Sequence, residues 1–377
     1  MLPKATNLAA AGTGLADSSR SDTPLVVKEL DTATATAEFV SLLTEELPAH
    51  YDEVDETFAT NLFRVSGMDA DPDGYFTLRK KVFVGLLGDR PVGFTVATFK
   101  RGGSVKIGPT AVFRQFRRRR LASFLRDEVE RRLFAGGTRK LYVTIANSNT
   151  PALMFNLGRE FRVEGLLRSQ YRLGRDELVL GKFAHSVATD VETLLQSSGH
   201  PTSASVSRDL ERPAERDSDG AGMVTSVWAD PDVGEVRRYL EPVLETYIAG
   251  LDASFYSHMV AACAPERQHY HRKGKSLIAT RSVTGAVQAI AVFVPKRGGA
   301  AKLSPLVANS ETALRLLIQS CGAHARGADR HKLYAHVPME MRLTAQVLQE
   351  EGFGLEAQLR EPYKPGADVL VFGAELD

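Results

Sequence analysis

Four consecutive arginines, Arg117–Arg120, with Arg114 just before them, stand between a β-rich run ending at Val112 and an amphipathic stretch starting at Leu121. The first turn of a helix gathers unpaired N–H groups and the positive end of the backbone dipole. Arginines there oppose the dipole unless an anion joins them, so this loop is a candidate phosphate site. Other residue types on the chain could move protons. Asp52, Glu53, Asp55 and Glu56 form an acidic cluster, Tyr142 and Tyr171 carry phenols, and Asn147, Ser148 and Asn149 close a strand-like run. Most histidines fall late, at His258, His269, His271, His324, His331 and His336. His269-Tyr270-His271-Arg272-Lys273 reads as a basic, aromatic loop able to meet an anionic acceptor or RNA. His258 and His271 lack a third ligand at metal spacing, and Cys263 and Cys321 offer neither a zinc pattern nor a disulfide framework. No metal is expected.

Elements must position these groups. Leu25–Leu30 reads as a strand, Ala35–Leu47 as a helix with Phe39, Leu42, Leu43 and Leu47 on one face, and Tyr51–Leu62 as a second early helix. Val82–Leu87 and Val92–Phe99 flank Gly88-Asp89-Arg90-Pro91 as a hairpin, and Val105–Val112 adds a strand. Leu121, Leu125, Val129 and Leu133 mark a helix that Gly136-Gly137 stops. Leu141–Ala146, Thr150–Leu157, Val163–Leu173 and Glu177–Phe183 then read as strand, helix, strand and strand.

The second half repeats this order. Aligned without a gap, Lys140–Lys182 and Lys332–Ala374 share Lys140/Lys332, Leu141/Leu333, Tyr142/Tyr334, Phe161/Phe353, Glu164/Glu356 and Arg168/Arg360, then Tyr171/Tyr363 and Asp176/Asp368. The chain therefore divides into a flexible tail over 1–24, a first copy over 25–185, a linker over 186–222 and a second copy over 223–377. Val187–Leu195 suggests a short helix, and Ser197–Gly222, rich in Ser, Pro, Arg, Asp and Gly, reads as linker. The expected fold class is α/β (an α+β mixed sheet) in two copies.

The 377 residues carry 47 Lys+Arg against 46 Asp+Glu, a net charge of +1. That excludes whole-protein attraction to nucleic acid or acidic membranes, though a local patch remains open. With 43% hydrophobic residues the chain can fill real cores, yet no apolar run is long enough to span a bilayer. The Ala/Ser/Thr/Gly-rich start lacks the basic-then-apolar order of a secretory signal, so a cytoplasmic protein is expected.

From Gly108 to Glu164 the order of elements, with a basic loop between a strand and a long helix, resembles the GNAT superfamily of N-acetyltransferases. The family's phosphate loop, Arg/Gln-x-x-Gly-x-Gly/Ala, appears as Arg117-Arg118-Arg119-Arg120-Leu121-Ala122, preceded by Val112. Its later Asn-x-x-Ala, Tyr and Gly-Phe pattern appears as Asn149-Thr150-Pro151-Ala152, Asn156 and Glu160-Phe161. The resemblance implies two tandem acyltransferase domains and acyl-coenzyme A, such as acetyl-coenzyme A, as donor. The pyrophosphate would rest on Val112 and Arg117–Ala122, and Asn149 would line the donor arm. Asn156, Tyr171 and Glu53 are then candidate catalytic positions, and the acceptor is a small-molecule amine. Three positions depart from the family: Arg120 and Glu160 replace glycines, and Asn156 replaces the tyrosine that protonates the leaving thiolate. In the second copy, Asn309-Ser310-Glu311-Thr312 aligns with the arginine loop and Leu348 with the tyrosine, which suggests a structural or acceptor-shaping role with a Ser310 or Asn309 helix cap. The same duplicated architecture serves aminoacyl-tRNA-dependent transferases, so charged tRNA is an alternative donor. A ligand-binding protein without turnover is a third reading.

Overall fold

The computed structural model describes residues 24–30, 37–48, 55–65, 75–184, 222–264 and 274–376. The expected tail over 1–24, the linker, the helix at Val187–Leu195 and the loop His269–Lys273 lie wholly or almost wholly outside the described residues. The first half runs β1 (Leu25–Glu29), α1 (Ala37–Glu46), α2 (Glu56–Val65), β2 (Thr77–Leu87), β3 (Arg90–Lys100), β4 (Ser104–Val112), α3 (Leu121–Ala135), β5 (Lys140–Ala146), α4 (Thr150–Leu157), β6 (Arg162–Arg172) and β7 (Arg175–Phe183). The second follows with β8 (Val224–Val227), α5 (Val233–Tyr247), α6 (Ala253–Ala262), β9 (Ser276–Arg281), β10 (Val287–Pro295), β11 (Ala300–Ala308), α7 (Glu311–Gly327), β12 (Lys332–Pro338), α8 (Arg342–Glu350), β13 (Gly354–Lys364) and β14 (Ala367–Glu375). Strand β8 was not expected. Its four residues are too short for a visible period-2 pattern, and it is held by pairing with β9.

All strands join one sheet in the order β1-β2-β3-β4-β5-β7-β6-β13-β14-β12-β11-β10-β9-β8, which reads as one half followed by the same half reversed. Alternation along each strand sends one set of side chains to each face. In the first half, Val105, Ile107, Leu141, Val143, Ile145 and Leu180 pack under Leu125, Val129 and Leu133 of α3. On the opposite face Val82, Val84, Phe94 and Val96 meet Phe39, Leu43, Phe58 and Phe63 of α1 and α2. These helices cover the sheet because their apolar residues recur every three or four positions.

The halves meet where β6 pairs with β13, and the register there is a single residue pair, Gly165 opposite Ala357. A Cβ on Gly165 would lie 2.1 Å from the Ala357 Cβ, so only glycine admits this approach. Around that point each half sends the same groups into the other. Lys140 Nζ binds both Glu164 carboxylate oxygens at 2.8 and 2.7 Å and donates across the join to the Arg360 carbonyl. Lys332 Nζ binds Glu356 at 2.9 and 2.8 Å and donates to the Arg168 carbonyl. Farther out, Gly102 at φ 86° lies against the Tyr363 backbone, and Gly298 at φ 75° lies against the Tyr171 backbone. Tyr75, from the first half, sits in the second half's core and donates its hydroxyl to the Ser304 carbonyl at 2.8 Å.

Removing one member of a fully buried ion pair strands the other charge, at a cost of about 3–5 kcal/mol. Lys140→Ala should therefore lower the urea unfolding free energy by roughly that amount. A Lys140→Met/Glu164→Leu double variant, with no orphaned charge, should recover most of it. A single variant as stable as the parent would show that the pair does not hold the join.

Candidate active site

Strands β4 and β5 run parallel but pair only at Ser104/Lys140, Val105/Leu141 and Lys106/Tyr142. Beyond that point β4 stays with β3 as far as Gly93/Val112, while β5 stays with β7 as far as Ala146/Glu177. A wedge opens between Ile107–Val112 and Val143–Ala146, and it leaves backbone groups of both strands without a ladder partner between them. The β3–β4 register also shifts at Gly108-Pro109, where proline has no N–H to give.

The arginine loop closes the top of the wedge. A short 3-10 turn, Arg114–Phe116, leads into Arg117–Arg120 and then α3. No side chain caps α3, and its first turn holds no acid. Arg117 Nε donates to the Val112 carbonyl at 2.9 Å and Nη2 pairs with Glu46 at 2.7 Å, so this side chain ties the loop to β4 and α1. Burial works to raise the Glu46 pKa, but Arg117 and Arg114 hold it below its ordinary value. Arg118, Arg119 and Arg120 are exposed and make no ion pair among the described residues. Arg118 and Arg120 hold φ of 65° and 58°, the left-handed region that costs a non-glycine residue about 1–2 kcal/mol. Glu160 does the same at φ 66°, whereas the aligned Gly352 sits at φ 86° at no such cost. The backbone thus keeps the glycine conformation at both family-glycine positions while the side chains depart from it.

On the α3 face, Arg126 is 2% exposed. Its Nη2 reaches Glu130 at 3.0 Å and the Asn156 amide oxygen at 3.3 Å, and its Nη1 reaches Thr110 of β4 at 3.5 Å. The Asn156 amide nitrogen is spent on the Ala152 carbonyl at 2.8 Å. An amide so held gives no proton to a thiolate, so Asn156 positions Arg126 rather than acting as an acid. Asn149 accepts the Ala152 N–H at 3.2 Å and caps α4. Outside the wedge, Arg120, Ser123, Phe124, Arg159, Glu160 and Lys182 line an open groove of about 620 Å³ between α3 and the end of α4.

The other face carries titratable groups. Lys106 and Tyr142 alternate with core residues and so point away from α3. Lys106 Nζ donates to the Tyr171 hydroxyl at 3.1 Å. Glu177, opposite Ala146 at the wide end of the wedge, is 1% exposed and its Oε2 has no partner. Burial pushes its carboxyl up to about 8, against a weaker pull from Lys106.

The second half closes the corresponding place. Ser310 caps α7 by accepting the Ala313 N–H at 3.2 Å, and Glu311 fills its first turn. Arg315 pairs with Glu311, Glu350 and Glu351. An anion would find an occupied, acidic helix start there.

Residues 39–156 match the model of the acetyltransferase (GNAT) family. That segment is an acyltransferase domain of the GNAT type. Among solved structures, the chain is similar to an acetyltransferase of the GNAT family from Streptococcus pneumoniae at 15% identity, covering 42% of this chain and 99% of that one with a TM-score of 0.35. It is also similar to a GNAT family acetyltransferase from Elizabethkingia anophelis with acetyl-CoA bound, at 16% identity, 43% and 99% coverage and a TM-score of 0.33. Arabidopsis thaliana NAA60 in complex with a bisubstrate analogue is a third, at 15%, 42% and 98%, and 0.33. No curated protein matches the chain in sequence. Among the described residues there is no group of three or more His, Cys, Asp or Glu side chains able to hold a metal, and no helix long and apolar enough to cross a membrane.

Of the expected site residues, the structure gathers Val112, Arg117, Arg118, Arg119, Arg120, Leu121 and Ala122 at the top of the wedge, with Asn149 at the end of β5. Tyr171 meets the wedge strand β4 at Lys106, and Glu53 lies outside the described residues. Asp55 caps α2 through the Phe58 N–H at 2.7 Å, a structural use. Glu177, Lys106 and Arg126 were missed. Arg126 and Glu130 look in sequence like an exposed i,i+4 pair, and Glu177 like the polar start of a strand.

A carboxyl raised by burial stays protonated in the folded chain after the unfolded chain has lost its proton. Its contribution to stability is present below about pH 4.5 and is lost as pH rises through about 8, at up to roughly 1.4 kcal/mol per pH unit. Glu177→Gln should flatten that decline in urea titrations between these pH values. An identical decline in the variant would assign it to other groups.

Proposed function

We propose that residues 25–185 form the active member of two tandem acyltransferase domains, and that residues 223–377 form a degenerate copy. The enzyme moves an acyl group from acyl-coenzyme A to the amine of a small molecule. The observation that carries this reading is the uncapped, cationic start of α3 standing over the wedge between β4 and β5. Backbone N–H groups and exposed arginines meet there, where a pyrophosphate would be held by both the helix end and fixed charges.

The chemistry needs a neutral amine, donors for the oxyanion and a proton for the thiolate. In this reading Glu177 takes the proton of the attacking amine as nitrogen bonds to the thioester carbon. As the C–S bond breaks, the Tyr171 hydroxyl gives its proton to the departing sulfur, and the Lys106 ammonium beside it stabilises the phenolate until the proton returns. Asn156 takes no part in proton transfer.

A second reading rests on Arg118, Arg119 and Arg120, which make no ion pair among the described residues. Their spread along the loop suits the phosphates of a charged tRNA, and the Arg120 side chain occupies space that a family glycine leaves open. Loss of activity by orders of magnitude between about 50 and 200 mM salt would favour tRNA as donor.

Isothermal titration with coenzyme A should give saturable binding that Arg118→Ala/Arg119→Ala weakens at least tenfold without lowering Tm. Unchanged affinity would remove the loop from the donor site. Turnover should rise with pH through about 8 as Glu177 ionises, and Glu177→Gln should abolish that limb along with most activity. A Glu177→Gln enzyme with the parent's pH profile would end Glu177's role as base.

A further inference from the structure

On the α3 side of the wedge the first half buries a polar network where the second half packs apolar residues. Arg126 and Glu130 of α3 pair at 3.0 Å and are 2% and 4% exposed. Arg126 Nη2 also reaches the Asn156 amide oxygen on α4 at 3.3 Å, and its Nη1 reaches Thr110 of β4 at 3.5 Å. Thr110 Oγ1 in turn shares a 2.6 Å hydrogen bond with Thr95 Oγ1 of β3. The gap-free alignment that sets Lys140 against Lys332 extends back through α3 and α7, since Gly137 and Asp329 both turn the chain at positive φ between helix and strand. It sets Ile318 against Arg126, Gly322 against Glu130 and Leu348 against Asn156. Counted from the equivalent pairs Ser104/Lys140 and Ala300/Lys332, Leu306 stands where Thr110 does. Ala291 lies opposite Leu306 as Thr95 lies opposite Thr110. Ala291, Leu306, Ile318 and Leu348 all belong to one apolar core.

The fold therefore does not require charge at this place. Apolar replacement of a buried ion pair is commonly neutral or stabilising, and the second half is built that way. What the network adds is a span. Beyond Lys106/Tyr142 strand β4 has left β5, so Thr110 stands on the β4 wall of the wedge. Helix α4 starts at Thr150, just after β5 ends at Ala146, so Asn156 rides with the other wall. A guanidinium is a planar fork whose donors keep fixed directions, and Glu130 holds this one from behind. A Cβ on Gly108 would meet nothing within 4 Å, so there is room beside the β4 wall. In the second half β11 and β12 also part after Leu303/Ala335, and the next carbonyl, that of Ser304, accepts the Tyr75 hydroxyl at 2.8 Å. A side chain of the first half thus stands where the second wedge begins.

We infer that Arg126 is a positioning residue of the first wedge: its fork, backed by Glu130, ties Thr110 on β4 to Asn156 on α4 and so fixes the width of the slot between β4 and β5. That the slot receives the arm of coenzyme A rests on the acyltransferase reading; the tie between the two walls does not. A slot held at one width spares the donor arm the cost of ordering its own walls. Arg126 acts here through its two neighbours and not by touching the donor.

The full chain carrying Arg126→Ile/Asn156→Leu, the residues of the second half, tests this. Glu130 keeps Lys182 at 3.1 Å in that variant, so no charge is stranded and Tm should not fall. Calorimetric affinity for coenzyme A should drop by about tenfold, as expected of a slot no longer held in place. Affinity for ADP, which carries the pyrophosphate without the arm, should stay at the parent's value because the arginine loop is intact. Arg126→Lys keeps the charge and loses the fork, and it should lose coenzyme A affinity as the double variant does. The Asn156→Leu single variant leaves the buried ion pair whole and guards against misfolding; it should shift coenzyme A affinity in the same direction. Parent-like coenzyme A affinity in the double variant or in Arg126→Lys, or an equal loss for ADP, overturns the proposal. Amide hydrogen exchange on the same samples separates it from the donor assignment. Exchange over residues 107–112 should quicken in the double variant while residues 300–308 of β11 stay as in the parent. If the parent binds no coenzyme A, the donor assignment falls and exchange alone decides: faster exchange over 107–112 keeps the tie, and parent-like exchange overturns it.

Discussion

The fold depends on a join that almost no backbone pairing secures. Between β6 and β13 the ladder is one residue pair, so the continuity of the sheet falls to side chains. Lys140 and Lys332 do this work symmetrically. Each neutralises a glutamate of its own half and spends its remaining donor on a carbonyl of the other. A buried ion pair repays its desolvation only when its geometry is complete, and the third hydrogen bond completes it. The bond also fixes register, because only one alignment of β6 on β13 brings Arg168 and Arg360 carbonyls under the two ammoniums. Arg139 and His331 repeat the logic one residue earlier, Arg139 on Glu361 and His331 on the Ser169 carbonyl.

That join sets the position of everything chemical. Because β6 and β13 lie side by side, their far ends carry Tyr171 and Tyr363 into the faces where Lys106 and Lys302 project. The loops that feel those tyrosine backbones, at Gly298 and Gly102, belong each to the opposite half. Arg297 of the second half likewise stacks 3.5 Å from the Phe58 ring of α2. Neither of these faces is therefore built from one half alone.

Most elements were legible because their signal is local. Helix α3 announces itself by Leu125, Val129 and Leu133, and β5 by an apolar run, and neither depends on the other half. The join was not legible by that route. Lys140, Glu164, Lys332 and Glu356 look like the charged ends of strands, and charged residues are rarely buried unless paired. One clue was available: Lys140/Lys332 and Glu164/Glu356 are identical charged residues at aligned positions of two halves whose loops differ, which surface residues had little reason to be. Glu177 carried no such clue, since its counterpart is Val369. Its burial follows from where β5 ends relative to β7, which is a tertiary fact.

The asymmetry between the halves follows the same division. Features that maintain the join are paired: the lysine–glutamate bonds, the left-handed backbones of Ser169 and Glu361, and the glycines at 102 and 298. Features at the helix start and at the end of the wedge are not. The first half has an open cationic helix start and Glu177; the second has a capped acidic helix start, Val369, and His336 where the first has Thr144. Two halves that share a frame can differ at one site without losing the sheet, because the energy of the join resides in residues that touch neither wedge. The strained arginines at 118 and 120 fit this account. Their cost falls on a loop outside the frame, where it can be offset by an anion and need not be offset by packing.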